Sequence, residues 1–488
     1  MDTNGSTDSK LIRSGLILAL VCAGQFMVIL DIAIVNVALP SIQIDLGVSQ
    51  SDLQWAVVAY GLFLGGFLLL GGRSADLLGR RKVFMTGLVI FAGASLLAGF
   101  ANSLTVLVIA RGMQGFGAAL TAAAALAILT ATFEEGPDRT KALGAWAGVS
   151  AFGATAGVIV SGVLTDTIGW EWIFFINVPL GIALTIAAFM FLPESRGEAE
   201  SSFDFAGAIT VTSALLLLVL GVNKSESWGW ADGRTIGALA AAAILFVLFV
   251  IIESRVKHPL VPLNRITDRI VGTANILAAL VFGSFFVLIF IGTLLMQQVL
   301  GYTPLEAGVG WLATSLTGLV AAGVTGTVLV EKFGARPILF SGLVILAGSM
   351  LGLAQADAGS SYIGGIFPFF FLAGLGIGLC FPSVQVAAFT GFTDRDSGLA
   401  SGLVNTSQEV GGAVSVAVLA TIAVGLTNDL ILGGTEQVDA LAEGFQRAFY
   451  VAAAIAIVGA ALALTLGRAG AVQAAVAEGE EASPEPAS

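Results

Sequence analysis

The sequence predicts an all-α polytopic membrane protein: fourteen spanning helices, grouped as two six-helix bundles with two additional helices between them. Three observations predict it. Only 11% of the 488 residues are charged and 57% are hydrophobic, whereas a soluble chain is about 25% charged, and the mean hydropathy is +0.95. The chain divides into fourteen apolar stretches, each near the ~20 residues that cross a bilayer as a helix. The first six and the last six share signals at nearly the same offset.

The apolar excess runs the whole length, so no large soluble domain is expected. The 62 glycines lie within apolar runs, where they let helix backbones pack closely in lipid. Cys22 and Cys380 both sit in apolar segments, which argues against a disulfide framework. No basic patch is large enough for nucleic acid. The net charge of -12 gathers in short loops and in a tail around Glu478, Glu480 and Glu481.

In chain order the spans are 15–38, 53–72, 82–100, 104–132, 141–164, 171–192, 204–222, 235–252, 270–299, 305–330, 336–355, 363–389, 398–427 and 446–467. The first follows Lys10 and Arg13 as a signal peptide would. It is too long for one and contains Asp31, so it reads as a retained span. The fourth, ninth and thirteenth are long, which suggests tilt or extension beyond the bilayer. The acidic stretch 428–445 reads as a loop facing outward. The domains are then a tail (1–14), a bundle (15–192), a linker with the two added helices (193–269), a second bundle (270–467) and a disordered tail (468–488).

Lysine and arginine set the orientation. With fourteen spans and a cytoplasmic N-terminus, only Lys224, Arg234 and Arg447 of the 21 cations fall outside; Arg111 lies within a span, and the remaining 17 are inside. An odd number of spans would scramble this asymmetry. Both termini are therefore expected in the cytoplasm.

The loop after span two, 71-GGRSADLLGRRK-82, is repeated after span ten as 326-GTVLVEKFGARP-337. Gly71 and Gly326, Asp76 and Glu331, Gly79 and Gly334, and Arg81 and Arg336 match at an offset of 255. A second match sets 138-DRTKALGAWAG-148 against 394-DRDSGLASGLV-404 at 256. Spans one to six thus resemble spans nine to fourteen. Such a two-fold repeat is typical of alternating-access transporters, whose site lies near the midplane between the halves.

Four stretches carry a family resemblance over nearly the whole chain: 30-LDIAIVNVALPSI-42, 72-GRSADLLGRRK-82, 111-RGMQGFGAA-119 and 170-WEWIFFINVPLG-181. They resemble the major facilitator superfamily and, within it, the fourteen-span drug:proton antiporters. The resemblance implies the major facilitator fold, a bacterial inner-membrane setting, and a cytoplasmic gate latch formed by Gly72, Asp76, Gly79, Arg80 and Arg81. In that reading Asp76 pairs across to another helix end or caps one. The family's span-five motif is present in part, as Gly153, Gly157 and Gly162. Val158 replaces its proline and Ser161 one of its glycines, which weakens the expected kink.

Ionisable residues inside the spans are the candidate site, because each alone costs at least ~2.5–3.5 kcal/mol there. At ~1.5 Å per residue, Asp31 lies about 24 Å along span one and Arg111 about 10 Å below the outer surface on span four. The two depths agree, so the charges are expected to pair. Asp31 would then carry the proton and Arg111 would modulate it. Glu409, about 16 Å deep on span thirteen, is a third proton-coupling candidate and suits either a second proton or a cationic drug. Asn36, Tyr60, Gln114, Gln297, Gln298, Gln385, Asn405 and Gln408 are weaker candidates for the substrate cavity. The phenylalanines of span nine, Phe285, Phe286 and Phe290, could line an aromatic wall.

No phosphate-binding loop is present, so ATP is not expected to drive transport; 374-GLGIG-378 reads as packing. One histidine, His258, and two buried cysteines make no metal site or catalytic triad. The sequence therefore points to a monomeric, proton-gradient-driven exporter of amphipathic or cationic drugs, with no cofactor and no nucleic-acid partner. The rival on the same fold is an importer or facilitator of a small solute. A membrane-embedded enzyme is more distant, because no clustered polar site is visible at either interface.

Overall fold

The computed structural model describes residues 3–133, 137–196, 204–256, 259, 268–389 and 397–466. Among these there is no strand, and the main helices succeed one another as α1 (Thr3–Leu46), α2 (Trp55–Leu78), α3 (Arg80–Gly99), α4 (Leu104–Thr132), α5 (Pro137–Thr167), α6 (Asn177–Phe191), α7 (Phe205–Trp228), α8 (Gly233–Arg255), α9 (Arg269–Leu294), α10 (Leu312–Val324), α11 (Ala335–Leu353), α12 (Phe367–Phe389), α13 (Ser397–Leu432) and α14 (Gln437–Ala463). Short helices precede α6 (Trp172–Phe175) and α10 (Pro304–Gly310). The π-helical turns Leu295–Val299, Thr325–Leu329 and Tyr362–Ile366 lengthen α9, α10 and α12.

Each main helix falls on one expected span, in order. Twelve are long and apolar enough to cross a membrane, and α2 makes a thirteenth if its two arms, bent by 49° between Leu68 and Leu70, count as one. The pairs Gly65–Gly66 and Gly71–Gly72 flank that bend, and adjacent small residues are a common cause of a kink. The apolar part of α5 among the described residues, Phe152–Thr167, is shorter than the rest. The side chains of Lys10, Arg13, Arg139 and Lys141 lie outside what is described, as do Lys257, His258, Arg265, Arg395 and the tail 468–488.

The expected loop 428–445 is corrected to helix on both sides of a short turn: α13 runs to Leu432 and α14 starts at Gln437. Val438, Leu441, Ala442 and Phe445 recur at helical spacing, and the last three are buried. Asp439 sits in the first turn of α14, where the helix dipole favours an acid. A search for unbroken apolar windows misses a helix that is apolar on one face only.

The packing is asymmetric along the helix axes. Toward the face where α1 ends and α2 begins (the far face), one core takes residues from both bundles: Ile34, Val37 and Leu39 of α1 pack in the same cluster as Phe290 and Leu294 of α9, Phe370 of α12 and Val416 of α13. Toward the opposite, terminal face the bundles have separate cores. One contains Val21, Phe84, Leu88 and Leu129; the other contains Leu277, Leu339, Leu343 and Cys380. Among the described residues a small cluster bridges them, where Leu70, Ala208, Phe249, Val271 and Leu403 bring α2, α7, α8, α9 and α13 together.

Hydrogen bonds close the far face. Gln297 Nε2 donates to the Val37 carbonyl oxygen (2.7 Å) and Gln298 Nε2 to Gln43 Oε1 (2.7 Å). The far end of α7 is tied to the first bundle by the ion pair between Lys224 and Asp52. The repeat is visible at the two equivalent corners. Gly79 (φ 114°) joins α2 to α3 and Gly334 (φ 81°) precedes α11, both in the left-handed region that glycine tolerates.

Candidate functional site

Asp31 and Arg111 form a buried ion pair, with side chains 0% and 1% exposed. Nothing in an apolar interior can leave such a pair half-satisfied without a large cost, and the surroundings supply the remaining partners. Asp31 Oδ1 accepts from Gln114 Nε2 (3.0 Å) and from Asn177 Nδ2 (2.8 Å). Arg111 Nη1 also donates to Gln114 Oε1 (3.0 Å), and its Nε donates to the Ala56 carbonyl oxygen (2.7 Å). Gln114 Nε2 reaches Ser95 Oγ as well (2.7 Å). The Tyr60 ring lies 4.3 Å from the guanidinium carbon and the Phe174 ring 5.9 Å, in cation–π range. Five helices therefore converge on one charge pair: α1, α2, α3, α4 and α6. The Gly115 backbone admits this convergence, since a Cβ there would sit 2.3 Å from the Tyr60 carbonyl oxygen.

Tyr60 and Gln114, expected at the cavity, belong to this group. The Tyr60 hydroxyl donates to the Val28 carbonyl oxygen (3.3 Å). Asn36 folds back on its own helix and donates to Ile32 (2.8 Å). Gln297 lies between the bundles at the far face. Gln385 is half-buried on α12 and joins neither acid among the described residues.

Glu409 is separate. It faces α2, where a Cβ on Gly61 would come within 3.8 Å of its Oε2. That oxygen is shielded from solvent and finds no hydrogen-bond partner among the described residues. The neighbouring Gln408 Nε2 is in the same state.

At the terminal face Arg80 pairs with Asp76, four residues before it (3.0 Å). Asp76, near the end of α2, is thus paired with the first residue of the next helix, α3. Arg81 makes the longer reach, donating to the Leu192 carbonyl oxygen (3.2 Å) and approaching Glu194 (3.7 Å) at the end of α6. Gly79 is required here for its φ, and the Glu194 carboxylate folds over the bare Cα, where a Cβ would stand 2.5 Å from Oε1 and push it aside. Gly71 rather than Gly72 makes the close approach to α4, 2.8 Å from the Ala119 carbonyl oxygen by the same measure.

The span-five glycines form a contact surface. A Cβ on Gly153 would touch Phe26 and Ile29, and one on Gly157 would meet Ala33 at 2.7 Å, all on α1. Gly162 meets Pro304 and Leu305 ahead of α10. Ser161, the departure from the family pattern, donates its hydroxyl to the Ile34 carbonyl oxygen, so the substitution adds a bond between α5 and α1.

The Major Facilitator Superfamily pattern matches residues 21–416 and, in a second alignment, 276–487. The chain belongs to the Major Facilitator Superfamily. Within that superfamily it is 36% identical over 417 residues to the cephamycin export protein CmcT of Amycolatopsis lactamdurans, covering 85% of this chain and 86% of that one. It is 34% identical over 443 residues to the puromycin resistance protein pur8 of Streptomyces alboniger (90% and 88%). It is 35% identical over 411 residues to the tetracenomycin C resistance and export protein of Streptomyces glaucescens (84% and 76%). Among solved structures it resembles the POT family transporter PepTSo, with a TM-score of 0.68 at 16% identity over 94% of this chain and 98% of that one. A bacterial homologue of the lysosomal transporter Spinster gives 0.65 at 14% identity over 94% and 97%. These two likenesses show the fold alone. The chain is thus a multi-pass membrane protein of a transporter superfamily, with relatives that export or resist antibiotics.

Two members of the Asp31 group were not assigned from sequence. Asn177 is a lone amide in the apolar run 170-WEWIFFINVPLG-181, and the reasoning that singled out Asp31 would have found it. Ser95 gave no signal, since a single small hydroxyl on a spanning helix usually bonds its own backbone.

Proposed function

We propose that the chain is a proton-coupled antiporter that exports amphipathic or cationic small molecules across the cytoplasmic membrane by alternating access. The observation that carries this reading is the buried Asp31–Arg111 pair with Gln114 and Asn177. A carboxylate held by a removable set of donors can gain a proton when those donors separate and lose it when they return. The export direction is supported by relatives that export or resist antibiotics. Fourteen spans with both termini in the cytoplasm are supported by the order of α1–α14 and by the cation bias. The terminal face is then cytoplasmic. One core shared at the far face and two separate cores at the terminal face suit an inward-open state. Asp76, Arg80 and Arg81 would brace the cytoplasmic corner of the first bundle through the cycle. The protein works as a monomer, and the proton gradient is its energy source.

The test is uptake into inverted vesicles under an imposed pH gradient, with fluorescent cations and neutral drugs, comparing wild type and Asp31→Asn at matched expression. Gradient-driven uptake in wild type that is lost in Asp31→Asn is the expected result. Uptake that survives intact in Asp31→Asn would make the pair structural. No gradient-driven uptake of any compound by wild type would remove the antiporter reading.

A further inference from the structure

Three helices of the second bundle change register at one level near the far face. α9 passes into the π-helical turn Leu295–Val299, α12 starts from the π-helical turn Tyr362–Ile366, and Trp311 interrupts the helix that continues as α10. Trp311 marks the inner side of that level. It is 2% exposed. Its Nε1 donates to Thr293 Oγ1 just before the turn of α9 (3.0 Å), and its ring stacks on Phe370 just after the turn of α12, with centroids 4.3 Å apart. Gly310 marks the outer side. The Tyr362 hydroxyl donates to its carbonyl oxygen (2.8 Å), and a Cβ there would stand 3.0 Å from Met296 Sδ and 3.3 Å from the Tyr362 ring. The outer segments thus pack on one another at Gly310, and the inner helices at Trp311.

The outer segments also hold the seam with the first bundle. Gln297 and Gln298, inside the π turn of α9, make the bonds to Val37 and Gln43. Ahead of α10, Pro304 and Leu305 lie against Gly162, and Gly308 lies against the Val158 carbonyl oxygen, where a Cβ would come within 2.5 Å. The first bundle is fastened to itself at this face. Ser161 donates to the Ile34 carbonyl oxygen, and Trp170 Nε1 donates to Asp45 Oδ2 (3.1 Å). Among the described residues every π-helical turn lies in the second bundle.

We propose that these three outer segments form a hinged gate, which opens the far face by swinging as one unit about the level of Trp311 while the inner helices of the second bundle keep their packing. The proposal rests on the alternating-access reading and names the moving part. A π turn carries one residue more than an α turn. Shifting that residue along the helix rotates the stretch between by about 100°, which is enough to take Gln297 and Gln298 off α1. Such element ends are where a hinge absorbs its change of backbone angle. Trp311, held by Thr293 and Phe370, supplies the fixed side of the joint. Gly310, without a side chain, lets Met296 and Tyr362 close on it from the moving side.

Distances between pairs of spin labels on the purified full chain test this. The labels sit on cysteines placed at exposed positions, with Cys22→Ala and Cys380→Ala in the background. Gly308→Leu, whose side chain has no room against Val158, serves as a wedge that opens the far face without substrate or gradient. Labels at Ile44 and Ile363 (83% and 81% exposed) report the opening, and labels at Ile363 and Val344 of α11 report the swing within the second bundle. Both distances are expected to shift by about 5 Å, one helical turn. Gly308→Ala, a milder wedge, should shift them in the same direction by less. Trp311→Phe, which drops the bond to Thr293, should broaden the Ile363–Val344 distances without any wedge. Widening of Ile44–Ile363 at an unchanged Ile363–Val344 distance would overturn the proposal in favour of bundles that rock as rigid bodies. No widening in Gly308→Leu would overturn it as well, since the outer segments would then not hold the seam. These distances need no proton coupling, so the uptake experiment on Asp31 can fail or succeed separately.

Discussion

Asp31 and Arg111 illustrate how much one residue pair in an apolar span makes legible. Two opposite charges at equal depth on neighbouring helices have few other ways to lower their cost, so the pairing could be read from position alone. The donors around them could not, because amides also serve as plain links between helices. Gln114 and Tyr60 were expected at the cavity and instead complete the ion pair, and Asn177 was passed over. Removal of one donor should cost less than removal of a charge. Asn177→Ala deletes a hydrogen bond to a carboxylate and is expected to destabilise the protein by about 1.5–3 kcal/mol. Arg111→Ala leaves Asp31 buried and unpaired and should cost about 3–5 kcal/mol. Unfolding in detergent compares the two; an Asn177→Ala protein as unstable as Arg111→Ala would mean that the amide, not the guanidinium, holds Asp31.

At the scale of the element, helix existence was legible in nearly every case and helix ends were not. Hydropathy reports the part of a helix that meets lipid. It is silent about the far extension of α13, where residues 428–432 are exposed or half-buried, and about the start of α14, where burial is confined to one face. The π-helical turns after α9 and around α10 and α12 also left no sequence signal, since they change hydrogen-bond register without changing composition. The close crossing of α2 and α4 belongs to this scale. Gly115→Ala would force a Cβ against the Tyr60 carbonyl oxygen and prise α2 from the helix that bears Arg111. The expected loss is about 1–3 kcal/mol, with weaker transport. Gly93→Ala on α3 has open space around it and should be neutral or slightly stabilising. Equal melting temperatures for the two variants would show that the α2–α4 approach is not tight.

At the scale of the whole molecule, the repeat could be read from two short matches, whereas the unequal closure of the two faces could not. Closure is a property of one state, and a sequence specifies all its states at once. The far-face bonds of Gln297 and Gln298 to α1 must break if the bundles are to open on that side. Gln43→Cys with Gln298→Cys, bridged by a short thiol cross-linker, should therefore join the bundles in substrate-free protein and stop net transport until the bridge is reduced. Full transport by fully bridged protein would place the moving boundary elsewhere. The pair α7–α8 has a consequence of its own. The Lys224–Asp52 pair anchors α7 to the first bundle, and Thr212 of α7 packs so closely on α2 that Gly66 has no room for a side chain. The same helix also shares a small apolar cluster with α13 of the second bundle. On the proposed alternating-access cycle, α7 would travel with the first bundle and slide on the second. The cluster of Ala208 and Leu403 would then act as a bearing surface, apolar in all its members and without a directional bond among them, so that its drag rather than bond breaking would bear on turnover.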